Sequence, residues 1–570
     1  MSMLICESKD GVITNKEWVI APKLSSNIIK QILLARGIKE SEHDVFLNPK
    51  YDEGLIDPFK LKGMKKAVDR IEKAILNEEK VGIFGDYDAD GIPATALLND
   101  ILVLHGSEVC TFIPRRNEGY GLSRRGIQEL ASKGVKLIIT VDLGITGKEE
   151  IAFAKAQGID IIVSDHHEPI EALFPVDACS VINPKQKGCK YPFKELSGTA
   201  VAFKLVSALC LRSRRLSDSQ LKWYLDLVAI SIFCDMVPLL GENRIFGKFG
   251  LIVLQKTKRL GLDKLYKVAS IVKDQITPYT VGFGIGPRLN APGRMGDCED
   301  SLKLLMTQDD KEALDIARRL DDTNTKRQNL LKEVLEEALG IVEEEGLDRN
   351  KIILVAKEGW PEGIIGLVAG RIAEKYNRPA FVIGFKDGIG RGSARSPEGI
   401  DLVKVLNYCR KYLIKHGGHS MAAGLTIKTQ HIAIFYKKLL AIAESEISSK
   451  SLTGRIYCDC KVNLDDIDWG FFRELRKLEP FGSGNPRPVF VTNNLTCGKI
   501  TVMGKTGEHL KIELSDGKTT RCAVGFGLAG KFSNLSVGGK IDIAYSVDRN
   551  DWQGKESLQL KILDIKLRMD

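Results

Sequence analysis

Histidine is scarce in this sequence, with eight in 570 residues, and aromatic side chains amount to only 7%. No long hydrophobic run is present: the most apolar segment, 227–240, is too short to span a bilayer and contains Asp235. The opening residues hold no basic region followed by an apolar one, so no export signal is expected, and a cytoplasmic location without membrane association follows. The twelve cysteines are scattered, and the closest pair, Cys458 and Cys460, is spaced Cys-x-Cys, which excludes a Cys-x-x-Cys zinc knuckle or redox motif. In a reducing compartment they are expected to be buried small hydrophobes. A large excess of one charge sign is missing as well: 83 Lys and Arg against 74 Asp and Glu permit a polyanionic partner without requiring one. Internal repeats and low-complexity tracts are absent.

What is present is an ordinary globular composition, 44% hydrophobic and 28% charged, in a chain too long for one core. Residues 80–185 alternate short β-rich runs with helical stretches, which argues for a parallel sheet covered on both faces, closed by helices over 198–211 and 221–234. From 312 to 346 the pattern is helical, but 321–329 holds no large apolar residue, as in a helix that bridges two domains. A second α/β segment starts at Lys351. From 454 onward, short alternating runs (456–462, 488–491, 499–502, 510–514, 520–524, 541–546, 557–565) predict a small β-barrel of the oligonucleotide-binding type.

The most informative stretch is Gly85-Asp86-Tyr87-Asp88-Ala89-Asp90-Gly91, directly after the run 81–84. Three alternating carboxylates at the carboxyl end of a buried parallel strand stand where open α/β sheets bind ligands. Crowded carboxylates repel and are costly to desolvate, so such a site holds cations. A calcium loop starting at Asp86 fails, because Leu97 stands where its glutamate belongs; a solvated acidic turn is the remaining alternative. The geometry recurs, however. Asp142 ends the run 136–141, and Asp165-His166-His167 ends the run 159–164. Asp235, in the apolar segment 230–238, is expected to be buried and to need a partner, either a cation or a helix end that it caps. Mixed carboxylate and imidazole donors suit Mn²⁺ or Mg²⁺ in a two-metal site, and the reaction class is phosphoester hydrolysis.

This ordered set, Asp-x-Asp-x-Asp-Gly, a strand-end Asp, Asp-His-His and a later Asp, resembles the motifs of the DHH phosphoesterase family. Further stretches resemble its RecJ-type branch: 118–123, Ile182-Asn183-Pro184, 235–239 with Asn243-Arg244, 286–297, 363–371, 392–396, 417–424 and 480–490. The resemblance implies an α/β fold: a parallel-sheet DHH domain at 76–310 preceded by an N-terminal segment, 1–75, that packs on it. A connecting helix at 311–346 follows, then a second α/β, DHH-associated domain at 347–450 and a barrel domain, OB-like, at 451–570. It implies two Mn²⁺ or Mg²⁺ ions held by Asp86, Asp88, Asp90, Asp142, His166 and Asp235, with His167 and Asp142 catalytic. Substrate would be held by Arg116, Arg288, Asn290, Arg294, Ser393, Arg395, Gly417, Gly418 and His419. The implied activity is a monomeric exonuclease that hydrolyses single-stranded DNA from 5′ to 3′, with single-strand-binding protein and a helicase as partners. Tyr457, Phe481, Phe490 and Trp552 are the candidates for base stacking, and each is equally suited to the barrel core. Leu143 replaces the Asn usual after Asp142, Phe233-Cys234 replaces a Val-Ala-like pair, and Pro361 replaces a His. A DHH hydrolase of short oligonucleotides or cyclic dinucleotides, and a non-catalytic strand-binding scaffold, are the alternative readings.

Overall fold

The computed structural model describes residues 16–116, 121–296, 298–552 and 554–568. The chain divides into two compact units, one made of Pro49–Leu330 with Pro480–Asn485, the other of Met1–Asn48, Leu331–Glu479 and Pro486–Asp570.

The first unit is built on five parallel strands in the spatial order Val109–Phe112, Val81–Phe84, Leu137–Val141, Asp160–Ser164, Ser180–Ile182. Val81-Gly-Ile-Phe and Leu137-Ile-Ile-Thr-Val are buried at every position, which is why they read as continuous apolar runs. Alternation still sorts their side chains between two cores. Val81, Ile83, Leu137 and Ile139 face one core with the helices Gly91–Leu104, Gly198–Ser213 and Leu225–Cys234. Phe84 and Ile138 face the other, with Arg124–Ser132 and Lys148–Ala156. The order reverses at Val81–Phe84, whose neighbours are the next strand on one side and Leu137–Val141 on the other. At such a switch point the loops leaving the carboxyl ends part and open a crevice.

A buried ion pair ties four segments of this unit together. Lys204, on the helix Gly198–Ser213, pairs with Glu242 at the start of Gly241–Lys256, both side chains at most 3% exposed. Glu242 also accepts from the Ile56 amide (2.9 Å) and the Tyr191 hydroxyl, and Lys204 donates to the Ile56 carbonyl (2.8 Å).

The connecting helix expected at 311–346 is a single helix, Asp310–Glu344. In the second unit a five-stranded mixed sheet has the order Leu413–Gly418, Ala422–Lys428, Ile389–Arg395, Ala380–Lys386, Ile353–Glu358. The C-terminal strands Phe490–Met503, His509–Ser515, Thr520–Gly525, Lys555–Leu567 and Lys540–Trp552 form a closed barrel, because the last of these pairs back onto the first.

Two expectations are redrawn. The runs 488–491 and 499–502 belong to one strand, Phe490–Met503; register shifts between Thr492 and Leu495 and between Cys497 and Ile500 break its alternation. The N-terminal segment divides at residue 48. Its strand Glu17–Ile20 pairs in parallel with Arg455–Cys458, and Arg36 pairs with Asp459 at 2.9 Å, so it joins the second unit, while Leu61, Met64, Ala67, Val68 and Ile71 enter the core of the first. Of the stacking candidates, Phe490 is a core residue at 0% exposed and Tyr457 is 56% exposed. The Trp552 side chain, residues 118–120 of the 118–123 motif and Asp297 lie outside the described residues. No helix among the described residues is long and apolar enough to cross a membrane.

Candidate metal centre

Each acidic side chain is placed by local backbone geometry. Asp88 Oδ1 accepts from the amides of Asp90 (2.9 Å) and Gly91 (3.0 Å), closing the turn that starts the helix Gly91–Leu104. Gly91 is required there, since a Cβ would stand 2.6 Å from Asp86 Cβ. Asp90 reaches across to another helix. Its carboxylate accepts from the Gly198 and Thr199 amides (2.7 and 2.6 Å) and the hydroxyls of Thr199 and Ser231 (both 2.7 Å). The positive end of Gly198–Ser213 thus holds it. Asp142 follows its strand with φ +64°, a left-handed conformation that Asp and Asn tolerate better than most residues.

His166 Nδ1 lies 3.0 Å from the Leu196 carbonyl oxygen. A carbonyl can only accept, so Nδ1 carries the hydrogen and Nε2 keeps its lone pair, the form a metal ligand needs. That Nε2 lies 3.1 Å from Asp142 Oδ1, 3.8 Å from Asp235 Oδ2 and 3.9 Å from Asp90 Oδ2. Asp165, seen in the sequence only as part of the His pair, is the anchor of the third loop. Its oxygens accept from the amides of His166 (2.7 Å), His167 (3.0 Å) and Ile145 (2.9 Å) and from His167 Nδ1 (2.8 Å). Burial works against the protonated His167 ring, but the Asp165 hydrogen bond and the surrounding carboxylates outweigh it and raise its pKa to about 9.

The expectation of a deeply buried Asp235 is corrected. It is the C-cap of the helix Leu225–Cys234, with its side chain 35% exposed. The apolar run that suggested burial ends one residue earlier, because the chain turns outward at Met236, φ +57°. At this helix end the Asp235 amide donates to the Ser231 carbonyl (2.8 Å), and its carboxylate lies among the donor atoms of the cluster rather than capping a helix.

Three sets of donor atoms each lie within 4.8 Å of one another: Asp86, Asp88 and Asp142; Asp90, His166 and Asp235; Asp142, His166 and His167. Asp142 and His166 belong to two sets each, so the donors form one continuous cradle. Burial first, and then the neighbouring negative charges, push Asp86 and Asp142 above the usual carboxylate range. A divalent cation relieves both penalties, and carboxylate and imidazole donors fit Mg²⁺ or Mn²⁺. The nearby Cys234 thiol turns toward the Val281 carbonyl, 3.9 Å away.

Three family models match: "DHH family, N-terminal domain" over residues 80–232, "DHHA1 domain" over 349–448 and "RecJ OB domain" over 458–564. The chain is 37% identical to the single-stranded-DNA-specific exonuclease RecJ of Bacillus subtilis strain 168, covering 94% of this chain and 67% of that one. It is 33% identical to the Haemophilus influenzae protein of the same name, covering 90% and 92%. The chain belongs to the RecJ family. Among solved structures, RecJ of Thermus thermophilus in complex with Mn²⁺ superposes with a TM-score of 0.83 at 27% identity, covering 97% of this chain and 80% of that one. This RecJ-family chain is accordingly a metal-dependent phosphoesterase with the DHH, DHHA1 and barrel architecture.

The remaining expected site residues of the RecJ-family chain fall into two groups. Beside the acidic loop, Asn290 Oδ1 accepts from the Ala89 amide (2.7 Å), and Arg116 donates to the Gly293 carbonyl (3.1 Å) with its guanidinium 4.7 Å from the Tyr87 ring centre. Burial and the positive charges of Arg116 and Arg327 lower Arg294 to about 10. Arg327, which the sequence reading missed, thus lies close enough to Arg294 to repel its charge. Arg288 instead ion-pairs with Asp321 (2.7 Å) and donates to the Gly284 carbonyl (2.7 Å). In the other unit, Arg395 donates to Ser393 Oγ (3.0 Å), and Gly366 of the helix Glu362–Tyr376 approaches both side chains. Arg395 pairs in register with Ala422, at the turn end of the hairpin carrying Gly417, Gly418 and the exposed His419. Leu143 is buried in the second core at 1% exposed, and Pro361 is the N-cap residue of Glu362–Tyr376.

Gly198 supplies a direct test of the cradle. A Cβ there would stand 2.5 Å from Asp142 Oδ1, so Gly198→Ala displaces Asp142 although alanine favours helices. Metal-dependent turnover is expected to fall on the order of 10²-fold, as for loss of a metal site's supporting groups, with circular dichroism unchanged. Turnover equal to the parent would show that Asp142 placement does not matter.

Proposed function

We propose that this chain is a single-strand-specific DNA exonuclease that works from 5′ to 3′ with two bound Mn²⁺ or Mg²⁺ ions. The observation that carries the reading is the continuity of three donor sets linked through Asp142 and His166, in a chain whose relatives are named for single-stranded DNA. The cations, when bound, neutralise charge on the attacking and leaving oxygens of a phosphodiester. Asp86, Asp88 and Asp142 would hold one, and Asp90, Asp142, His166 and Asp235 the other. His167, fixed through Nδ1 by Asp165, donates a hydrogen bond or proton to a phosphate oxygen. Arg116, Arg294 and Asn290 keep the acidic loop in place and offer positive charge to the neighbouring phosphates. Ser393, Arg395, Gly417, Gly418 and His419 receive the 5′ end, a role proposed also for Arg288. The barrel holds the strand behind it. Single-strand-binding protein and a helicase, as providers of unpaired ends, and action as a monomer in the cytoplasm complete the reading.

Digestion of end-labelled DNA with Mn²⁺ or Mg²⁺ tests it. A 5′ label on a long single strand should be released as mononucleotide at once and a 3′ label only late, with blunt duplex resistant. Equal early release from both ends, or turnover confined to dinucleotides, would favour a hydrolase of short substrates.

A further inference from the structure

Two large aromatic side chains stand in solvent on the unit that carries the metal centre. Tyr279 is 49% exposed and Phe283 43%. Their rings are stacked, with centroids 4.7 Å apart and planes 24° from parallel. Tyr279 directly precedes, and Phe283 lies within, a π-helical turn, Thr280–Ile285, a rare geometry concentrated at functional sites. On either side of Phe283 stand Gly282 and Gly284, so no adjacent side chain covers its ring. Val272 nearby in sequence is 57% exposed, and Ile271 packs against the turn at Gly284.

The opposite face of the turn is pinned to the metal centre. Val281 and Ile285 are fully buried, the Val281 carbonyl accepts from the Cys234 thiol, and a Cβ on Gly286 would stand 2.3 Å from Cys234 Sγ. Cys234 directly precedes Asp235. The turn then runs into the helix Gly286–Met295, whose Asn290 holds the acidic loop at Ala89. The exposed pair is therefore built on the segment that braces two loops of the candidate metal centre, the acidic loop at Ala89 and the end of the helix that carries Asp235.

Exposed aromatic pairs add little to folding, since their apolar area remains in water. A flat ligand that covers them recovers that area, and a nucleobase has a π-face of the right kind irrespective of sequence. We propose that Tyr279 and Phe283 form a stacking platform for one base of the single strand while its backbone lies at the metal centre. This rests on the proposed action on single-stranded DNA.

The test compares the full-length parent with Tyr279→Ala, Phe283→Ala, Tyr279→Leu and Tyr279→Trp. Substrates are single strands carrying one abasic residue, scanned over successive positions from the 5′ end. For the parent, one position is expected at which base removal raises KM about tenfold, the scale of a lost base stack. The alanine variants and Tyr279→Leu should show that raised KM on intact strands, a smaller change in kcat and no further response to the abasic residue, while Tyr279→Trp restores parental behaviour. Thermal unfolding should be unchanged, because both rings are exposed. Variants with the parental KM and abasic profile overturn the platform. So does a concentration-dependent self-association lost in the variants with that profile unaltered, which would make the pair a contact between copies. A parent that degrades no single strand removes the underlying reading and the platform with it, whereas an active parent with unresponsive variants overturns the platform alone.

Discussion

Asp142→Asn is expected to lower metal-dependent phosphodiester hydrolysis on the order of 10³-fold, equivalent to about 4 kcal/mol of barrier. Asparagine keeps the size of the side chain and tolerates the φ of +64° at this position, so the change removes charge without straining the turn. The effect is large because Asp142 is common to two donor sets and lies 3.1 Å from His166 Nε2. The metal-free protein should respond in the opposite sense. Its Asp142 carboxyl is held well above the usual range by burial and by Asp90, Asp88, Asp86 and Asp235, so ionisation costs folding free energy that Asn avoids. Thermal unfolding without metal should therefore occur at the same or a higher temperature in Asp142→Asn, and the stabilisation that Mn²⁺ gives the parent should be lost. A variant that keeps parental turnover, or that unfolds much earlier without metal, would contradict this role.

Lys204→Met is expected to destabilise the catalytic unit by about 3–5 kcal/mol, because it leaves Glu242 buried without its cation. The ammonium is the only charge partner recorded for Glu242 among the described residues, whose other contacts are the Ile56 amide and the Tyr191 hydroxyl. For a unit of this size the loss should lower its unfolding temperature by roughly 10 °C. Converting Glu242→Gln in the same chain should recover much of it, since amide and thioether impose no buried charge. Thermal melts of the parent, single and double variants check both statements. Equal melting of Lys204→Met and parent would show the pair to be dispensable.

The part of the site legible in sequence was the part written locally. A buried parallel strand is a continuous apolar run, and the residue after it lies at the carboxyl edge of the sheet, so Asp86, Asp142 and Asp165-His166-His167 could be placed together without coordinates. The partners of those residues were not legible, because they come from distant segments. Thr199 and Ser231 reach Asp90 from 109 and 141 positions away, and the Leu196 carbonyl that sets the His166 tautomer has no side-chain signature. Ser197 caps the helix Gly198–Ser213, and nothing in the local pattern reveals that this helix end holds Asp90. Asp235 shows the limit of hydropathy: the apolar run ended where the chain turned to solvent. In the barrel, the two register shifts of Phe490–Met503 hid a single strand. The pairing of Glu17–Ile20 with Arg455–Cys458 joins segments too far apart for local pattern to connect. The Tyr279 and Phe283 pair was passed over because its signal is solvent exposure.

The central claim is that these side chains hold a pair of divalent cations. Anomalous diffraction at the manganese edge from crystals soaked in Mn²⁺ addresses it directly. The expected result is two peaks roughly 3.5–4 Å apart, both within coordination distance of Asp142, one also near Asp86 and Asp88 and the other near Asp90, His166 and Asp235. A single peak, or peaks that leave Asp142 uncoordinated, would contradict it.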